Sequence, residues 1–265
     1  MGGHPTSDGK KMKTGILYRS ENLSVLSKND LEKIHQFKIR LICDVRSPSE
    51  RRSRMDRIPE HHNTRIVNIP IFQAGQEFSG REYFRFLFQK SDDFDYHKFI
   101  KKLYRSFVFD NTAQIKEIFT LVSDRNNLPA LVHCAAGKDR TGLVSAFLQL
   151  TAGVPMDFVL SDYEATNRCI ASKVEKSVRM MGWLRLFKAS PERLRLTMGV
   201  RRDYLKDTLD EIILRYGSVE NYLLQACLIE PSCLQEIRSL LVDGNQSELP
   251  LKRKIQGSDI IADIR

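Results

Sequence analysis

The most constraining stretch of this chain is Ala130-Leu-Val-His133-Cys134-Ala135-Ala136-Gly137-Lys138-Asp139-Arg140-Thr141-Gly142. An apolar strand, Ala130 to His133, breaks into small residues and re-forms as an apolar helix, Leu143 to Ala152, which Gly153 and Pro155 close. A strand running through a tight loop into a helix is the unit of an α/β sheet. It is also an anion cradle. Five residues lie between Cys134 and Arg140, enough for the backbone N–H groups to converge on one point beside the guanidinium. The helix terminus beneath that point adds roughly half a positive charge. A tetrahedral dianion suits such a place.

The same field acts on the cysteine, because a helix N-terminus and nearby cations favour thiolate over thiol. Cys134 is therefore a candidate nucleophile, aimed at whatever the loop binds. The chemistry implied is displacement at phosphorus, a phosphocysteine intermediate and hydrolysis by water. Arg140 would hold two phosphate oxygens with its fork, a task Lys performs poorly.

His133-Cys134-x5-Arg140-Thr141 resembles the signature of cysteine-dependent protein tyrosine phosphatases. The full string HCAAGKDRTG is similar to a bacterial subfamily acting on phosphotyrosine and, in several members, on inositol lipids. The resemblance covers nearly the whole chain. Gly15-Ile-Leu-Tyr-Arg-Ser20 with Glu21-Asn-Leu-Ser24 is similar to an entry motif, and Asp44-Val-Arg46-Ser-Pro-Ser-Glu50 to a second. Ser161 to Asn167 and Tyr216 to Tyr222 are similar to two helical motifs.

The resemblance implies roles within the loop. Ala135, Ala136, Gly137 and Lys138 line the cradle, and Thr141 donates to the sulfur as it leaves phosphorus. A leaving alkoxide needs a proton, yet the Trp-Pro-Asp tripeptide of common tyrosine phosphatases does not occur. Asp139 is the leading substitute, since myotubularin-like phosphatases also have an Asp immediately before the loop Arg; a structural carboxylate bonding the loop is the alternative. Asp92, Asp93 and Asp95 are weaker candidates for the acid. A Gly-Lys pair resembles the loop of inositol-lipid 3-phosphatases, so Lys138 is expected at the rim, against a second phosphate or simply in solvent. His133 either orients the loop or merely ends the strand.

With 42 Lys and Arg against 33 Asp and Glu, the formal charge is +9. Steering toward anionic partners follows, unless the excess is ordinary solvated surface. Phosphorylated proteins and phosphoinositides are the expected partners; nucleic acid is not. Five cysteines without paired spacing argue against both a disulfide framework and a zinc site. No cofactor or metal is expected. The absence of a membrane-spanning run or secretory leader predicts a cytoplasmic protein, or one exported to a host by a signal-independent route.

The rest of the chain frames the loop. Asn29-Asp30 opens a helix to Phe37, and Ile39 to Val45 is an apolar strand with Asp44 and Arg46 at its C-terminal end, where ligands gather in parallel sheets. Arg46 either borders the phosphate pocket or, with Asp44, buttresses a loop. Arg51, Arg52, Arg54 and Arg57 form a basic cluster, a lipid-headgroup patch or a plain solvated run. A third strand spans Thr64 to Ile71, and Phe72 to Asp95 reads as a lid or a helix packed by its aromatics. Two amphipathic helices follow, carrying Ile100, Leu103, Tyr104 and Phe107 and then Ile115, Ile118, Phe119 and Val122.

The expectation is one phosphatase domain over 1–265: an α/β core at about 10–155, with a parallel sheet of about four or five strands flanked by helices, a helical subdomain at about 156–245, and a polar tail at 246–265. In that subdomain Leu205, Leu209, Ile212, Ile213 and Tyr216 form one apolar stripe, and Leu234, Ile237 and Leu241 another. Two other functions compete with the phosphatase. A rhodanese-like sulfurtransferase also uses a loop cysteine, but the Arg-Thr-Gly that follows here counts against it. An inactive phosphate-binding module would not need both Cys134 and Arg140.

Overall fold

The computed structural model describes residues 1–58, 64–72, 95–183 and 191–243. Four strands, β1 (Leu17–Ser20), β2 (Leu41–Asp44), β3 (Arg65–Asn68) and β4 (Ala130–His133), form a parallel sheet in the order β1-β4-β2-β3. Register aligns Leu17, Ala130, Leu41 and Arg65 across one end, and Ser20, His133, Asp44 and Asn68 across the other. That second row is the C-terminal edge, and the functional loops leave from it.

β4 lies inside the sheet and is fully buried, which explains its unbroken apolar run before His133. Its side chains alternate between two cores. Ala130, Val132 and Cys134 belong to the larger one, whereas Leu131 joins Tyr18, Leu23, Leu26, Ile34, Ile39 and Ile42 in the smaller.

The helices are α1 (Lys28–Gln36), α2 (Pro48–Ser53), α3 (Tyr96–Phe109), α4 (Thr112–Ser123), α5 (Asp139–Thr151), α6 (Met156–Trp183), α7 (Pro191–Met198), α8 (Arg202–Tyr216), α9 (Val219–Gln225) and α10 (Pro231–Leu241). In α1 the cap is Ser27 rather than Asn29 or Asp30. Ser27 and Asp30 close a capping box, so Asp30 is the third helical residue and not the first flank. α5 begins at Asp139, ahead of the expected Leu143, which puts Arg140 and Thr141 in its first turn. Leu143, Val144, Phe147 and Leu148 of α5 are all at most 1% exposed, each contributing about 1.5–3 kcal/mol by burial. Such a helix is held on every side, and its N-terminus has little freedom to wander.

The helices after β4 share the larger core with the sheet: Tyr163, Leu209 and Ile237 pack in the same cluster as Leu41 and Val132. Leu205, Leu209 and Ile212 are buried as expected, but Ile213 is partly exposed because one residue is a 100° step around a helix. All five cysteines are free, with Cys43 and Cys227 buried and Cys169 and Cys233 half-buried. Residues 73–94, including Asp92 and Asp93, and the tail 246–265 lie outside the described residues. Among the described residues no helix is long and apolar enough to cross a membrane.

Candidate active site

The loop Cys134 to Lys138 is built inside out. Asn22 donates to the Ala135 carbonyl from its side chain at 2.9 Å and its backbone at 3.4 Å, and Arg19 Nη2 donates to the Gly137 carbonyl at 3.3 Å. In a trans peptide the C=O and N–H point in opposite directions. With both carbonyls held outside, the N–H groups of Ala136 and Lys138 face the concave side. Gly137 N–H already points at the Cys134 sulfur, 3.2 Å away. Gly137 has φ +66°, and a Cβ there would come within 2.5 Å of the Ser20 carbonyl oxygen. No other residue fits.

Arg19 is itself fixed, donating to Thr166 at 2.6 Å and to Asp162 at 3.4 Å on α6. Asp162 also accepts from Gln149. Burial raises its pKa, but His4, Arg19 and Gln149 outweigh that and hold the carboxyl far below the usual range. The entry motif and the helical motif thus meet beneath the loop.

Arg140 makes an end-on fork with Glu50, Nη1 to Oε2 at 2.7 Å and Nη2 to Oε1 at 2.6 Å. Nη1 also reaches the Val45 carbonyl at 3.4 Å. Among the described residues its Nε–H and second Nη2 hydrogen have no partner. These two donors form the side-on edge of the guanidinium, a matching fork for two phosphate oxygens. Burial opposes the Arg140 charge, but Glu50, Cys134 and Asp139 overcome it and push the pKa further up. Glu50 is placed by a second capping box: its carboxylate accepts from Ser47 N–H at 2.8 Å, and its N–H donates to Ser47 Oγ. Burial pushes the Glu50 carboxyl up, and Arg140 with Ser47 pulls it below its ordinary value.

For Arg46 the sequence left two readings open, and its contacts go to the Asp44 buttress rather than to the pocket border. It is 1% exposed and does not line the loop. Its side-on fork holds Asp44 at 2.8 Å through both Nε and Nη2; Nη2 also meets Asp56 at 2.5 Å, and Nη1 the Arg54 carbonyl at 2.8 Å. Four donated bonds leave no edge for a substrate. Asp44 is also paired with Arg51, Nε to Oδ2 at 3.1 Å, and Arg57 bonds the Leu26 carbonyl, so part of the basic cluster is engaged with the protein itself.

His133 is fully buried, with Nε2 3.4 Å from Asp56 and 3.8 Å from Asp44. Asp44, Asp56 and His133 could in principle surround a metal ion. The cation between the two carboxylates is the Arg46 guanidinium, which already satisfies them. Thr141 is fully buried with its hydroxyl unpartnered among the described residues.

Lys138 is a correction to the sequence reading. The expected rim cation is 8% exposed, its ammonium donating to the carbonyls of Thr197 at 2.7 Å and Gly199 at 3.1 Å at the end of α7. That helix end presents unsatisfied carbonyls, and a cation settles there. Asp139 lies 3.4 Å from the same ammonium and accepts from the Tyr104 hydroxyl at 2.8 Å. Asp95 instead caps α3 through Lys98 N–H.

Glu50, Arg19, Asn22, Asp56 and Tyr104 had no individual role in the sequence. Only Glu50 carried a local signal, the Ser47-x-x-Glu50 spacing ahead of a turn of helix.

Residues 1–243 match the model of the tyrosine phosphatase family. This chain belongs to that family. A tyrosine-protein phosphatase of Cupriavidus necator is 25% identical over 237 residues, covering 89% of this chain and 82% of the relative. The triple specificity protein phosphatase PtpB of Mycobacterium tuberculosis is 26% identical over 260 residues, covering 87% and 92%. A tyrosine-protein phosphatase of Nostoc commune matches at 38% over only 50 residues, 19% of the chain. As a tyrosine phosphatase, the chain is a phosphoric monoester hydrolase with phosphorylated substrates.

Proposed function

We propose that this phosphatase works through Cys134, Arg140 and Asp139 and accepts phosphotyrosine, phosphoserine or phosphothreonine, and phosphoinositide substrates. The observation that carries the mechanism is the free side-on edge of Arg140, held by Glu50 beside a sulfur that already receives a backbone N–H. Arg140 and the inward N–H groups hold the phosphoryl oxygens. The Cys134 thiolate forms the S–P bond while the P–O pair departs onto the ester oxygen, which takes a proton from Asp139. Water then attacks phosphorus, the S–P pair returns to sulfur, and Asp139 receives the water's proton. His133, with Asp44 and Asp56 behind it, keeps the end of β4 in place.

Breadth of substrate rests on the name of the mycobacterial relative and on the +9 charge. It no longer rests on Lys138. A phosphopeptide and phosphoinositide panel, with orthovanadate as inhibitor and Cys134→Ser as control, tests both parts. Cys134→Ser is expected to lose roughly 10³-fold or more in turnover while still binding phosphate esters; activity persisting at several per cent removes Cys134 as nucleophile. No lipid turnover by the wild type leaves a phosphoprotein phosphatase. Lys138→Met should depress peptide and lipid reactions alike, because it loosens the tie from loop to α7; a selective lipid loss restores the rim role.

A further inference from the structure

Two phenols stand behind the loop in a place that packing alone would fill with Phe. Tyr104 of α3 and Tyr163 of α6 are 0% and 1% exposed. The Tyr104 hydroxyl donates to Asp139 Oδ1 at 2.8 Å, and its oxygen lies 2.5 Å from the Tyr163 hydroxyl. Tyr104 has one proton, and it points at the carboxylate. Tyr163 must therefore be the donor in the second contact, giving a relay from Tyr163 to Tyr104 to Asp139.

We propose that Tyr104, backed by Tyr163, is a positioning residue for phosphoryl transfer: it keeps Asp139 Oδ1 as an acceptor, so that the transferable proton is carried on Oδ2, which lies 3.4 Å from a Lys138 ammonium whose hydrogen bonds go to Thr197 and Gly199. This rests on the reading of Asp139 as the general acid. An isolated carboxyl can place its proton on either oxygen and rotate between them. One phenol bond to Oδ1 removes that ambiguity and fixes the plane of the group. As the ester oxygen takes the proton from Oδ2 and the P–O bond breaks, negative charge appears on the Asp139 carboxylate, and the bond from Tyr104 becomes a charge-assisted one. Such a bond is stronger when charge develops than before, the condition for lowering a barrier rather than merely binding. Burial, then the neighbouring Asp139 and Tyr163, holds the Tyr104 phenol well above its ordinary pKa, so it remains a donor throughout.

The test is a series of phosphate monoesters of graded leaving-group basicity, assayed with Tyr104→Phe, Tyr163→Phe, Asp139→Asn and the double variant Asp139→Asn/Tyr104→Phe. Tyr104→Phe should lower kcat for poor leaving groups about 10- to 100-fold, the equivalent of a lost hydrogen bond to a charged group. Activated aryl esters, which depart without a proton, should change little, with KM nearly constant. Adding Tyr104→Phe to Asp139→Asn should cost nothing further, because the relay acts through Asp139. Equal losses across the series would overturn the proposal, since a purely packing role slows all esters together. If Tyr104→Phe does not fold, Tyr163→Phe must show the same selectivity at smaller size, and a flat response overturns the proposal as well. A selective Asp139→Asn beside a non-selective Tyr104→Phe removes the relay and leaves the acid. A non-selective Asp139→Asn overturns both together.

Discussion

The C-terminal ends of β2 and β4 are neighbours in register, and each is followed by an arginine facing a carboxylate. They have been finished differently. At the end of β2, Arg46 uses its side-on fork on Asp44 and its remaining donors on Asp56 and Arg54. At the end of β4, Arg140 uses its end-on fork on Glu50, with a longer contact to the Val45 carbonyl, and among the described residues keeps the side-on edge free. One guanidinium is a buried fastener and the other a half-satisfied ligand, although residue type and charge partner are the same. Function lies in the unfilled donors, which burial and net charge do not report.

The contrast can be broken from the open side first. Arg140→Lys retains the charge but not the fork, and kcat/KM should fall about 10²- to 10³-fold with little loss of stability. Steady-state kinetics beside thermal melting checks this, and an unaffected kcat/KM removes Arg140 as phosphate ligand. On the closed side, Arg46→Met takes the buried guanidinium from Asp44 and Asp56, leaving Asp44 only its half-exposed partner Arg51, and should cost about 3–5 kcal/mol in stability. Urea unfolding measures that cost, and the fraction that stays folded should turn over near normally. A specific kinetic defect in the folded fraction would mean that Arg46 also serves the substrate.

Glu50→Gln sharpens the comparison, since it weakens the clasp without touching the free edge. A loss of roughly tenfold in kcat/KM is expected, that of one charge-assisted bond in a partly solvated site. The smallest effect concerns acid stability. Folding holds the carboxyls of Glu50 and Asp56 below their ordinary values; burial works against this, while Arg140 and Ser47 for the one, and His133 and Arg46 for the other, prevail. Their contribution is complete above the unfolded carboxylate value of about 4 and is lost as pH falls through the lower folded values. Melting temperature against pH should therefore drop below pH ~4, and Asp56→Asn should flatten that drop. An unchanged acid limb would show that Asp56 titrates alike in both states.

Short-range pattern carried much of this arrangement. The apolar run of β4, the small residues after it and the onset of α5 all lie within one continuous stretch, so the meeting of Cys134 and Arg140 around one loop could be read from spacing. Glu50, Arg19, Asn22 and Tyr104 could not be assigned in the same way. Each reaches the loop from another element, and a sequence pattern records the neighbours of a residue along the chain rather than across the sheet. Lys138 shows the opposite failure. Its position in the loop suggested an outward cation, but the carbonyl ends of α7, about sixty residues further on, gave it acceptors with partial negative charge within the protein itself.

Strand order has a consequence for how the molecule comes into being. Among the described strands β4 is the last to leave the ribosome, yet it sits between β1 and β2, which do not pair with each other in the finished sheet. The earlier strands must wait unpaired on that side while α3 and α4 are synthesised, a long closure that slows assembly. When β4 inserts, it completes the sheet and delivers the sulfur of Cys134 in the same event. A nascent chain stopped before Ala130 has a gap where the middle of its sheet belongs, and no nucleophile to misuse. The loop that carries this sulfur is finished later still, once α6 has supplied Thr166 to Arg19 and α7 its terminal carbonyls to Lys138.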